Sequence, residues 1–76
     1  MVAAAEMPEG ASRFHLTPAE MNVLRLLAKG ERADDVARAL FVSVATVRNH
    51  IQRILRKLGA RNQVDAVSRA IRGGLV

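Results

Sequence analysis

The polar chemistry of this 76-residue chain is concentrated between positions 45 and 57. At 100° per residue on a helix, these side chains sort into two stripes. Ala45, Arg48, Asn49, Gln52 and Arg56 form one, and Thr46, His50, Arg53 and Lys57 form the other. Behind a small residue, the first stripe offers Arg, Asn and Gln, which match base edges in pairs: Arg to guanine, Asn or Gln to adenine. Arg48, Asn49 and Gln52 are therefore candidate base readers. The second stripe combines a hydroxyl, an imidazole and cations, a set suited to phosphate oxygens. Thr46, His50, Arg53 and Lys57 are candidate phosphate contacts, joined by Arg56 at the far end of the first stripe. A solvated helix face uses the same residue types, so the surrounding elements decide between the two.

Other chemistry is poorly supported. Ser43 and His50 share one helix side but lie seven residues apart, about 10 Å along the axis at 1.5 Å per residue. That is too far for a nucleophile–base hydrogen bond. No glycine-rich phosphate loop precedes a helix, and His15 and His50 are isolated from one another. The absence of cysteine rules out a disulfide framework or thiolate metal site. The expectation is a chain that is not an enzyme and uses no metal or cofactor.

The elements that must position the two stripes are helical. Val44, Val47, Ile51, Ile54, Leu55 and Leu58 fall within one arc of about 100°, which predicts an amphipathic helix over 44–58. Ser43 is suited to cap its start, and Gly59 stands where a left-handed cap would end it. Upstream, Thr17-Pro18-Ala19-Glu20 has capping-box spacing with proline at the first helical position. Val23, Leu24, Leu27 and Ala28 continue that helix to Gly30. A shorter helix from about Arg32 to Leu40 carries Asp34 and Asp35 in its first turn, with Val36, Ala37 and Leu40 facing inward. Phe41-Val42-Ser43 then forms a tight connection, and a last helix follows Asn62 to about Arg72, stopped by Gly73-Gly74. The expected fold is all-α, a compact four-helix bundle in which a short helix, a tight turn and a long helix make a helix-turn-helix. Residues 1–15 show no helical or strand period and are punctuated by Pro8 and Gly10. They are expected to be a flexible tail or linker ahead of a domain at 16–76.

Charge points the same way. Twelve Lys and Arg against seven Asp and Glu give +5, and the sequence pI is about 11.4. Between Asp35 and Asp65 there is no acidic residue, while Arg38, Arg48, Arg53, Arg56, Lys57 and Arg61 all fall there. Such a one-sign block attracts polyanions. No apolar run approaches the roughly 20 residues of a membrane span. The N-terminus lacks the cationic and apolar regions of a signal peptide. A soluble, cytoplasmic protein without membrane contact is expected.

Leu16-Thr17-Pro18-Ala19-Glu20, Val23-Leu24, Ala28-Lys29-Gly30, Val36-Ala37 and Leu40 stand in an order that resembles a known family. Ser43, Thr46-Val47-Arg48-Asn49-His50, Ile54, Lys57-Leu58-Gly59, Ala66, Ala70 and Gly74-Leu75 continue it. The pattern is similar to the LuxR-type helix-turn-helix domain of FixJ/NarL response regulators, quorum-sensing activators and GerE-like proteins, over about residues 16–75. The resemblance implies sequence-specific duplex-DNA binding in a transcriptional regulator, the helix at 44–58 lying in the major groove. Arg48, Asn49 and Gln52 match its base-contacting positions, and Thr46, His50, Arg53 and Lys57 lie on or beside its backbone-contacting ones. Val64, Val67, Ala70 and Ile71 fall on the helix through which the family dimerises, implying a homodimer. Their apolar spacing alone fits a dimer surface and the domain's own core equally well.

Two departures from the family stand out. Arg32-Ala33-Asp34 replaces a stretch in which a capping hydroxyl, Asn and Lys are common, and Gln63 follows Asn62 where Arg is common. Ala33 and Asp34 keep open an alternative in which a LuxR-like module pairs with a partner and regulates it without reading DNA. A sigma-factor region-four-like fold shares the helix-turn-helix and would bring RNA polymerase as partner.

Overall fold

A computed structural model describes residues 7–76, and every regular element among them is a helix. In chain order these are α1 (Glu9–Arg13), α2 (Pro18–Ala28), α3 (Ala33–Leu40), α4 (Val44–Leu58) and α5 (Gln63–Arg72). The last four are the helices expected from caps and apolar stripes, with α3 and α4 forming the helix-turn-helix.

Side-chain caps fix three of the starts. Thr17 Oγ1 accepts the Glu20 amide at 3.1 Å, while the Thr17 amide donates to Glu20 Oε1 at 3.0 Å. These two bonds complete a capping box at α2. Ser43 Oγ accepts the Thr46 amide at 3.0 Å, and Asn62 Oδ1 accepts that of Asp65 at 2.9 Å. At α3, by contrast, Arg32 makes no side-chain cap, and only Asp34 and Asp35 complement the positive helix end.

All five helices end in one way. After each comes a residue of positive φ, and the next amide reaches back to close the last turn. The closing bonds are Leu16 to the Ala11 carbonyl, Glu31 to Leu26, Val42 to Ala37, Ala60 to Leu55 and Leu75 to Ala70, at 2.8–3.2 Å. Gly30, Gly59 and Gly74 hold that left-handed position in three cases. His15 and Phe41 hold it in the other two, each against the steric preference of a Cβ.

The core lies where α4 crosses the rest. Val47, Ile51, Ile54 and Leu58 of α4 are buried against Met21, Val23, Leu24 and Leu27 of α2 and Val36 and Ala37 of α3. Ala66 and Ala70 of α5 close the other side. Alanine at both positions lets α5 approach closely, which suits a chain with so little apolar volume to spend on its core.

Residues 7–15 are where the structure departs from the expected tail. Ala11 is 1% exposed, and α1 packs against the C-terminal end of the chain. A Cβ at Gly10 would stand 2.9 Å from Leu75 Cδ2 and 3.1 Å from the Gly73 carbonyl, so any larger residue would push the C-terminal turn away from α1. A five-residue helix is too short to display a period, and its partner Leu75 is remote in sequence. Those facts hid a fifth helix from periodicity. Residues 1–6, where the tail expectation also fell, lie outside the described residues. Among the described residues no helix is long and apolar enough to cross a membrane.

Candidate nucleic-acid interface

With its apolar stripe committed to the core, α4 turns its polar face outward. The two stripes differ physically. Ala45, Arg48, Asn49, Gln52 and Arg56 are all exposed, whereas Thr46, His50 and Lys57 are half-buried, with Arg53 alone exposed among the second set. The first stripe crowns the helix, and the second runs down the flank that meets α2. No hydrogen bond or ion pair within the described residues engages the side chains of Arg48, Asn49, Gln52, Arg53 or Arg56. Paired donors and amides left uncommitted on a rigid helix are what base-edge and phosphate contacts require. At the amino end, Ser43 Oγ donates to Thr46 Oγ1 at 2.9 Å, leaving the Thr46 hydroxyl proton available to an outside acceptor.

Lys57 requires a correction. Expected at phosphate, its Nζ instead donates to Glu20 Oε1 at 2.6 Å and to the His15 carbonyl at 2.9 Å. Glu20 is 2% exposed, so pulling the ammonium away towards a phosphate would strand a carboxylate out of water. The same Oε1 also accepts the Thr17 amide. Burial pushes the Glu20 pKa up, but the Lys57 hydrogen bond and charge and the Thr17 amide and hydroxyl outweigh it and hold the group below its ordinary value. Lys57 thus ties the last turn of α4 to the first turn of α2 and to the left-handed residue that precedes it. His15 exposes its ring but commits its backbone to this clamp.

The acid-free stretch is correspondingly less available than its count of cations. Lys57 pairs with Glu20 and Arg38 with Asp35. Arg48, Arg53, Arg56 and Arg61 remain with no carboxylate at ion-pair distance among the described residues. His50 contributes less to the outer surface than its stripe implied. Its Nδ1 is buried without a hydrogen-bond partner, and the ring lines a shallow concavity against Ala19 and Asn22 of α2, Leu40 of α3, and Phe41 and Val42 of the turn. Phe41 is 95% exposed there, a feature that the sequence pattern did not single out. The available signal was an aromatic residue at a helix end of the kind that glycine fills elsewhere in the chain.

On α5 the four residues expected at a dimer surface separate. Val64 and Ile71 are well exposed and Val67 is half-buried, but Ala70 is 0% exposed and packs inside this domain. Ala70 has no surface to offer a partner and is corrected to a core residue. Asp65 anchors the helix start, accepting the Arg61 amide at 3.0 Å and Arg69 Nε at 3.1 Å, and these bonds lower its pKa. Among the described residues no cluster of three or more His, Cys, Asp or Glu could hold a metal ion.

Comparison with known proteins agrees with this geometry. The family described as "Bacterial regulatory proteins, luxR family" (GerE) matches residues 15–70. The uncharacterized transcriptional regulatory protein YxjL of Bacillus subtilis is 47% identical over 60 residues, covering 79% of this chain and 28% of its own length. The spore germination protein GerE of the same organism is 39% identical over 66 residues, covering 87% of this chain and 89% of GerE. The transcriptional regulatory protein DesR, also of B. subtilis, is 40% identical over 55 residues, and the match spans 28% of it. The chain thus spans under a third of the regulators YxjL and DesR but most of GerE.

Proposed function

The chain belongs to the luxR family of bacterial regulatory proteins, and on that premise we propose that it binds duplex DNA selectively as the DNA-binding part of a transcription regulator. The supporting observation is the crown of α4. Arg48, Asn49 and Gln52 stand exposed and uncommitted on the second helix of a helix-turn-helix, in a chain of charge +5. A helix of this width enters the major groove of B-DNA, where Arg and the two amides can each pair with a base edge. Thr46, Arg53 and Arg56 flank that contact and meet phosphates, with His50 beside them at the groove edge. Lys57, held by Glu20 and the His15 carbonyl, is left out of this set.

Two copies act together in this proposal, joined through α5. Val64 and Ile71 are exposed apolar residues two helical turns apart, 80% and 58% accessible, with Val67 half-buried between them. A second copy would cover that stripe and present two α4 helices to half-sites about one helical turn apart. One feature favours the rival reading, in which the module regulates a partner without reading DNA. The first turn of α3 is uncapped and carries Asp34 and Asp35, which would repel phosphate.

Selection from a random duplex pool at about 150 mM salt distinguishes the two. An enriched motif with two related half-sites supports the DNA-reading dimer. Failure to enrich, with a stable dimer in sedimentation, overturns it in favour of the interaction module.

A further inference from the structure

Phe41 ends α3 in the position that Gly30, Gly59 and Gly74 hold at the ends of α2, α4 and α5. Its φ of 58° and ψ of 43° are left-handed, a conformation that glycine adopts freely and a residue with a Cβ does not. The ring gives nothing back to the fold, since it is 95% exposed. His15, the other non-glycine residue at such a position, has a use for the geometry because its carbonyl accepts the Lys57 ammonium. Phe41 has no such internal use. Neither the backbone nor the core accounts for an aromatic residue here, and the bare ring is free to meet a partner outside the domain.

The ring's location narrows that partner. Phe41 and Val42 lead directly into Ser43, the N-cap of α4. They share with His50 a concavity of about 410 Å³, and His50 sits between Thr46 and Arg53 on the flank of α4. The apolar surface is therefore continuous with the polar face that meets DNA. Within the major groove the apolar group on offer is the thymine methyl. We propose that Phe41, with Val42 beside it, is a non-ionic part of the DNA interface whose ring meets thymine methyl groups where the amino end of α4 enters the groove. This proposal rests on the DNA-binding function proposed for α4. A protein partner could also cover an aromatic ring, but the continuity with α4 and the positive charge of the chain favour DNA.

The test compares the unmodified chain, Phe41→Ala and Phe41→Gly on two duplexes. One is the duplex enriched from a random pool, and the other carries deoxyuridine for every thymidine. Phe41→Ala should weaken binding to the thymine duplex about fivefold to thirtyfold, the range expected for partial burial of one aromatic ring. The slope of affinity against salt should not change, because no phosphate contact is lost. Phe41→Gly should show the same loss with a thermal midpoint at or above that of the unmodified chain, since the left-handed turn is relaxed. Uracil substitution should weaken the unmodified chain and leave Phe41→Ala indifferent. Unchanged affinity in Phe41→Ala overturns the proposal, as does an equal loss on both duplexes. A midpoint that falls with affinity in Phe41→Gly overturns it too, by assigning the ring to the fold. If the unmodified chain enriches no duplex, the DNA-binding proposal falls as well. That outcome is distinct from one confined to the variants.

Discussion

The two ends of α4 carry similar cations and use them for opposite purposes. Towards the amino end and middle, Arg48 and Arg53 stand in water with no internal partner, beside Asn49 and Gln52. In the last turn, Lys57 is drawn inward onto Glu20 and the His15 carbonyl. What separates them is a buried carboxylate. Glu20 is placed by its own capping box at the start of α2, and any cation within reach must answer it, because a carboxylate out of water without a partner is costly. A cation on the polar face of an amphipathic helix is therefore an outward-facing group only where the neighbouring helix presents no such demand.

The largest test of that contrast is Lys57→Ala. Removing one partner of the pair should cost about 2–3 kcal/mol, less than a wholly buried pair because Lys57 keeps some exposure. For a domain of this size that is a fall of roughly 10–20 °C in thermal midpoint. The salt slope of DNA binding by the folded protein should be unaltered. A slope reduced by about one unit with an intact midpoint would return Lys57 to the phosphate contacts and break the comparison.

Gln52→Ala should do the reverse, leaving the midpoint in place while relaxing base preference at one position per half-site by about 1–3 kcal/mol. Competition between the selected duplex and single-base variants reads this directly. Arg53→Ala is a gentler change: affinity should fall alike for all sequences and the salt slope by about 0.9, measured by titration across salt concentrations. If Gln52→Ala and Arg53→Ala behave identically, the crown and the flank of α4 do not divide the work.

Acidification sharpens the same picture with the smallest effect. The Glu20 pKa is lower in the folded chain than its ordinary 4.5, so its pairing adds stability that is fully present above 4.5 and lost as pH falls through the folded value. Thermal midpoints should decline below that pH, and the part due to this group should be absent from Glu20→Gln. Equal declines in the two proteins would assign the acid sensitivity to other carboxylates.

Much of this was legible along the chain. Thr17, Ser43 and Asn62 announce helix starts by donor–acceptor chemistry that acts over three residues, and Gly30 and Gly59 announce ends by backbone freedom. The buried stripe of α4 and the exposure of Arg48, Asn49 and Gln52 follow from a period of 3.6 residues alone. The less legible features involve residues distant in sequence. Helix α1 exists against Leu75, and Ala70 turns out to be core because α5 packs with its inner edge on the bundle. Phe41 lies between the two cases: its place in the turn was visible, but its left-handed backbone and bare ring were not.

The sequence by itself determined the helices, their polarity and the side chains offered on the face of α4, because caps, stripes and terminators are local interactions within a few residues. Only the tertiary structure decided which of those side chains remain available. Lys57 and Glu20 lie 37 residues apart and meet at 2.6 Å, and no periodicity encodes such a meeting. It arises from the crossing of α2 and α4 over a shared apolar core, and it decides whether a charged group faces inward or outward.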